Sequence, residues 1–370
     1  MKIAILNDTH AGVRGDMVAM SDYQGRFYKE IFFPYLVEND IKHIIHLGDY
    51  FDRRKYINFS SLKANREHFI KPMLEAGISM DLIIGNHDTY YKNTNEVNSP
   101  DLLLFTDDNI NVITAPEVKE YDGLNIALSP WINSDNYADS VEFLTTCNAP
   151  ICMGHFEFEG ALMMPGMTCQ HGLDHSYVSR FEKVYSGHFH QKSEFANIKY
   201  LGSQMQFTWS DFGDNKYFHI FDTSTREMLP VPNPLTIFEK IFYDDTKETF
   251  ETLVNKDYSN ATGKFTKVIV VNKDNPYWFD AFLDKLHAAS PLHLHVVDDH
   301  KHMDLMDDAD VENVEDTLTI LNKYVEGMDI QGKKKPLTDL MTSLYNEALD
   351  EHTYLSVSYT HLTLPTKRIV

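Results

Sequence analysis

The sequence predicts an α/β protein, and three observations carry the prediction. Short apolar runs bounded by glycine and polar residues recur along the first half of the chain and read as buried strands. Each run stops at residues suited to metal ligation, and residues that follow strands gather at the carboxyl edge of a sheet, where α/β proteins build their sites. Finally, 370 residues with 43% hydrophobic content exceed one ordinary domain and exclude wholesale disorder.

Taken in order, run 2–6 (KIAIL) leads into Asn7, Asp8, Thr9 and His10, and run 44–47 leads into Gly48 and Asp49. Run 82–84 leads into Gly85, Asn86, His87 and Asp88. Run 150–153 leads into Gly154 and His155, and run 184–186 into Gly187, His188, Phe189 and His190. After residue 230 a strand is expected over 267–271, an amphipathic helix over 278–286 and a strand over 292–297, together a small α+β module. The proline-rich stretch 229–234 is expected to continue neither strand nor helix and to mark the boundary before that module.

Carboxylate, imidazole and amide ligands without thiolate favour manganese, iron or magnesium over a structural zinc. Two such ions can clamp the attacking and leaving oxygens of an in-line displacement when an anionic ligand bridges them, which is phosphoester chemistry. Asp49 is the expected bridge, because its segment is central and Gly48 permits close approach. Asp52 and Asp88 stand behind the ligands as supporting residues, although Asp52 could instead cap the helix that follows. Arg53, Arg54 and Lys55 read either as a solvated helix start or as phosphate contacts. His43, His46, His68, His171, His175 and His219 carry no motif and are read as non-ligands.

In this order the motifs D-x-H, G-D-x-x-D, G-N-H-D, G-H and G-H-x-H resemble the calcineurin-like metallophosphoesterases. With 91–93, 200–203 and 217–222 they are similar to the SbcD-type DNA-repair nucleases, especially the recombination endonuclease subunits of T-even-type phages. Arg54 stands where the serine/threonine phosphatases have glycine, and N-H-D replaces their N-H-E, which separates this chain from that branch. The resemblance implies a four-layer αββα core over 1–230, a capping module over 235–300 and C-terminal helices. It implies one metal held by Asp8, His10, Asp49 and His190, and a second by Asp49, Asn86, His155 and His188. His87 is then the catalytic non-ligand that orients the phosphate or protonates the leaving oxygen. It further implies two Mn(II) ions, exonuclease and endonuclease action on DNA ends, an SbcC-type ABC ATPase partner, and a homodimer within a heterotetramer. Two other readings stay open: a small-molecule phosphodiesterase or phosphatase on the same core, and a non-catalytic DNA-end scaffold.

No run of about 18 apolar residues exists, and the first strand begins at once, so neither a membrane span nor a signal peptide is expected. Cys147, Cys152 and Cys169 lack metal-type spacing and suit a reducing cytoplasm, the host's if the chain is phage-encoded. The net charge of −22 repels a duplex at long range, so a DNA substrate calls for metal ions and a basic partner. Residues 301–355 read as an acidic linker, with Asp304, Asp307, Asp308, Asp310, Glu312 and Glu315, followed by two helical patterns at 314–325 and 337–349. Their apolar stripes must be buried against something: an ordinary helical hairpin folded on the main domain would do so, and the resemblance implies instead a tethered pair that binds the partner ATPase. Residues 356–370 resemble the translation of a transposon-end sequencing adapter and are expected to be non-native.

Overall fold

The computed structural model describes residues 1–298, apart from 105–106 and 165–166, together with Leu340. The acidic linker, both C-terminal helical patterns and the suspected adapter tail lie outside the described residues, Leu340 excepted.

Strands β1 (Lys2–Leu6), β2 (His43–His46), β3 (Ser79–Ile83) and β4 (Ile110–Ile113) form a parallel array. β5 (Glu117–Tyr121), β6 (Leu124–Ser129) and β7 (Ile151–His155) open a second sheet, and β8 (Leu162–Met164) with β9 (Met167–Thr168) makes a small ribbon. β10 (Lys183–Gly187), β11 (Ser193–Phe195) and β12 (Ile198–Tyr200) complete the second sheet in the order β11-β12-β10-β7-β6-β5. β13 (Lys216–Asp222) and β14 (Glu227–Asn233) then return as antiparallel strands to the first, giving β14-β13-β1-β2-β3-β4.

Alternation along each strand sorts side chains into layers. Ile3 and Ile5 of β1 enter the core between the sheets with Ile126, Leu128, Ile151, Met153 and Tyr185. Ala4 and Leu6 enter a separate core with Phe27, Phe32, Phe69 and Met73 from the helical runs 18–38 and 59–75. On the far face of the second sheet, Cys152, Val184 and Tyr200 pack with Leu144 of helix Tyr137–Thr146. Helix, sheet, sheet and helix are therefore stacked in the expected four-layer order. Both long helical runs widen into a π-turn, Tyr28–Phe32 and Arg66–Ile70, just before Pro34 and Pro72. A proline that lacks its N–H and crowds the preceding turn accounts for that local widening.

The proline-rich stretch corrects an expectation. Pro230 and Pro232 lie within β14, opposite His219 and Tyr217 of β13. β14 is the edge of its sheet, and an edge strand tolerates prolines whose missing N–H groups would have faced outward.

A third sheet, β15 (Phe238–Asp244), β16 (Phe265–Asn272) and β17 (His293–Val297), is parallel throughout. Its crossovers contain helices Phe250–Asn255 and Pro276–Ala288, and Tyr243, Val268, Val270, Phe279, Phe282 and Leu286 form its core. The second helix is started by Pro276 at its first turn and by Asn275, whose side chain accepts the Trp278 N–H. The expected strand, helix and strand are present. The module is nonetheless α/β rather than α+β, because β16 and β17 are parallel strands joined through a helix, and β15 extends them as a further parallel strand outside the expected set.

Candidate metal centre

The carboxyl ends of β1, β2 and β3 in one sheet and of β7 and β10 in the other converge on the predicted residues. Four of them leave their strands with left-handed backbone: Asp8 (φ 47°), His10 (φ 44°), Asp49 (φ 55°) and His188 (φ 87°). Such residues cost on the order of 1–3 kcal/mol each and gather at sites where geometry matters more than stability. Glycines make the approach possible. A Cβ on Gly85 would lie 2.2 Å from the Asp49 backbone nitrogen, and one on Gly48, itself at φ 92°, would lie 2.6 Å from His155 Nδ1.

Asp49 is central. Its Oδ2 lies 3.8 Å from His10 Nε2 and 3.3 Å from His155 Nε2, and its Oδ1 accepts the His87 N–H at 2.8 Å. On one side, His10 Nε2 is 3.1 Å from His190 Nε2 and 4.0 Å from Asp8 Oδ1. On the other, Asn86 Oδ1 lies 2.9 Å from His155 Nε2 and 3.0 Å from His188 Nδ1. All seven predicted ligands are thus brought together in two groups that share Asp49.

The donor set fits two divalent ions. Adjacent ligands of one ion, bound at about 2.1 Å and at right angles, lie roughly 3 Å apart, and the closest of these imidazole, amide and carboxylate pairs lie at 2.9, 3.0, 3.1 and 3.3 Å. Burial opposes charge on His10, but Asp52, Asp49 and Asp8 outweigh it and raise this histidine to about 9. His155 is likewise raised to about 9 against burial, chiefly by Asp49. His190 goes the other way, pushed down to about 4 by burial and then by His10.

His87 joins His10 and Asp49 in a cluster whose ligand-type atoms all lie within 4.8 Å of one another. Its Nδ1 donates to the carbonyl of Asp52 at 2.6 Å, so Nε2 is the nitrogen free for substrate. Asp52 supports the site and caps nothing: its Oδ1 lies 3.4 Å from His10 Nδ1, while Asn58 caps helix Phe59–Asn65. Asp88 is a fastener. Its carboxylate accepts the N–H groups of Tyr50 and Phe51 at 3.0 Å and of Gly85 at 2.9 Å, tying the Asp49 loop to the Asn86 loop.

The three basic residues diverge. Arg53 pairs with Asp16 at 3.2 Å and covers the Tyr56 ring at 4.9 Å, whereas Arg54 keeps a buried Nη1 without a hydrogen-bond partner and Lys55 is exposed.

Sequence reasoning missed several supports. Glu157 Oε2 lies 3.6 Å from His188 Nε2, and Cys169 donates to its other oxygen at 3.3 Å. Glu157 lies two residues beyond His155, but only the folded loop shows what it touches. His46 is no ligand, yet its Nε2 meets Thr9 Oγ1 at 2.9 Å between Asp8 and His10. Lys216, almost fully buried, pairs with Asp211 at 2.6 Å and donates to the carbonyl of His190 at 3.0 Å, fixing the last ligand loop.

The chain is 32% identical over 351 residues to exonuclease subunit 1 of enterobacteria phage T4, covering 94% of this chain and 99% of that protein. Among solved structures, a dimetal phosphatase from Danio rerio matches with a TM-score of 0.39 and 11% identity over 64% of this chain and 97% of its own. An archaeal phosphodiesterase matches with a TM-score of 0.32 and 13% identity over 63% of this chain and all of its own. Residues 1–192, more than half of the sequence, match the calcineurin-like phosphoesterase family. The chain belongs to the calcineurin-like phosphoesterase family.

Proposed function

We propose that this chain is the nuclease subunit of a two-metal, manganese-dependent enzyme that cuts DNA ends during recombination and repair. The observation that carries the reading is Asp49 Oδ2, placed between His10 Nε2 and His155 Nε2 at 3.8 and 3.3 Å. Its identity to a protein named as an exonuclease subunit supports DNA as the substrate. Two bound ions would acidify a water molecule and stabilise charge on the phosphate during in-line displacement.

The protein's own groups do the rest. Asp8, His10 and His190 hold one side and Asn86, His155 and His188 the other, with Asp49 common to both. Asp52 and Glu157 stand 3.4 and 3.6 Å from the second ring nitrogens of His10 and His188 and would orient these rings toward the ions. His87, anchored through Nδ1, presents Nε2 to the phosphate or to the departing oxygen. Arg54 and Lys55 meet flanking phosphates, and Arg53 steadies their loop through Asp16.

In the same reading, residues 235–300 form the cap and 301–355 engage an SbcC-type ABC ATPase in the cytoplasm, within a heterotetramer built on a homodimer of this chain. The tail 356–370 is adapter-derived. The net charge of −22 favours a second reading, hydrolysis of small phosphodiesters without a partner. Assays with manganese on duplex DNA and on a chromogenic phosphodiester, each with and without the ATPase, separate the two. ATPase-stimulated DNA cleavage is expected; turnover of the small ester alone overturns the nuclease reading.

A further inference from the structure

Beside the metal centre, two loops present cations and aromatic rings to solvent in a chain that is otherwise strongly acidic. Tyr90 (40% exposed) and Tyr91 (51% exposed) stand edge to face at 4.7 Å, with exposed Lys92 next in sequence. This tip follows directly on Asn86, His87 and Asp88, and it is rigidly braced. Tyr90 donates its N–H to Val97, Asp135 donates to the carbonyl of Asn93, and Asn95 is held by Trp131 and Asn133. Facing it is the loop that follows Asp49 and Asp52. The two loops are tied together where they leave the site, by His87 Nδ1 on the Asp52 carbonyl at 2.6 Å and by the Tyr50 and Phe51 N–H groups on Asp88 at 3.0 Å, so Arg54 and Lys55 follow one side of this junction and Lys92 the other.

We propose that Tyr90, Tyr91, Lys92, Arg54 and Lys55 form an apron that holds the unpaired strand of a DNA end and feeds it to the metal centre. The proposal rests on the nuclease reading and assigns it a strand form and the residues that select it. Exposed rings gain little from a duplex, whose bases are already stacked, whereas splayed bases of a single strand stack on them. Charge argues the same way. A duplex carries one phosphate per about 1.7 Å and meets the full repulsion of a chain at −22, while a single strand is less densely charged and can follow a local patch of three cations. Arg54, five residues beyond Asp49, keeps an Nη1 without a hydrogen-bond partner, a donor that a phosphate next to the reacting one would satisfy.

The test uses the full-length manganese-loaded chain and fluorescence anisotropy with phosphorothioate oligonucleotides, single-stranded and as blunt duplex. Tyr91→Ala is expected to weaken single-strand binding by about 5–150-fold, the equivalent of about 1–3 kcal/mol for one lost stack, and to leave duplex binding within twofold. Arg54→Gln and Lys92→Gln should each lower the salt dependence of single-strand binding by about 0.7 in log–log slope. Lys29→Gln, an exposed charge on the helical run 18–38, serves as the control and should change neither. Wild-type DNA cleavage combined with unchanged or equal single-strand and duplex losses in Tyr91→Ala overturns the apron alone. A wild-type chain that cuts neither form of DNA overturns the nuclease reading beneath it.

Discussion

Replacing Asp49 with asparagine isolates the bridge. The substitution preserves shape, and an amide oxygen can still accept the His87 N–H now held at 2.8 Å, so the loop keeps its anchor. What changes is the other arm, which faces His10 and His155 at 3.8 and 3.3 Å and becomes an N–H donor unable to ligate. Both metal positions lose an anionic ligand together. Removing one partner from a buried charge cluster costs about 3–5 kcal/mol, so each manganese affinity should fall on the order of 10²–10⁴-fold. His10→Ala removes a neutral ligand from one group only, and the Asn86, His155 and His188 group should keep its ion. Calorimetric manganese titration with elemental analysis reads both variants. Equal, single-site losses in the two would refute the bridging role of Asp49.

His87→Ala should retain two ions and lose about 10²–10⁴-fold in turnover; loss of an ion as well, measured by elemental analysis, would make His87 a ligand. Glu157→Ala should weaken one manganese site about 10–100-fold with Glu157→Gln affected less, read by the same titration, because only the first removes every acceptor beside His188 Nε2. Asp81→Ala should destabilise the fold by about 3–5 kcal/mol in urea, because Asp81 on β3 binds His43 and Tyr121 at 2.7 Å, Asn111 at 2.8 Å and Lys119, joining the two sheets. Chelated protein should lose stability as pH rises from about 6.5 to about 9, since His10 and His155 are raised to about 9 and their contribution vanishes as they deprotonate. His46 and His190, pushed down to about 3 and about 4, act oppositely and cost stability as pH falls below about 6.5. A thermal-unfolding optimum near pH 6.5 that flattens above it when manganese is bound checks both signs.

The convergence of the candidate ligands was legible because each one follows a short apolar run, and position at a strand's carboxyl end is a local property. The layering was legible for the same reason: β1 alternates Ile3 and Ile5 with Ala4 and Leu6, and the two faces enter different cores. What was not legible depends on partners distant in sequence. Pro230 and Pro232 belong to a strand only because β14 lies at an edge, and nothing in the residues 229–234 themselves states that. Arg53 looks equivalent to Arg54 until Asp16 claims it. Lys216 looks like an ordinary surface lysine, yet it is buried against Asp211 and the His190 carbonyl. β15 escaped notice because Glu239 and Lys240 interrupt its apolar pattern, and its parallel pairing is set by β16.

Anomalous diffraction at the manganese edge from crystals of the loaded protein tests the central claim most directly. The account predicts two ions per chain, about 3.5–4 Å apart, with Asp49 touching both and His87 neither. A single ion, or a pair that Asp49 does not bridge, would contradict it.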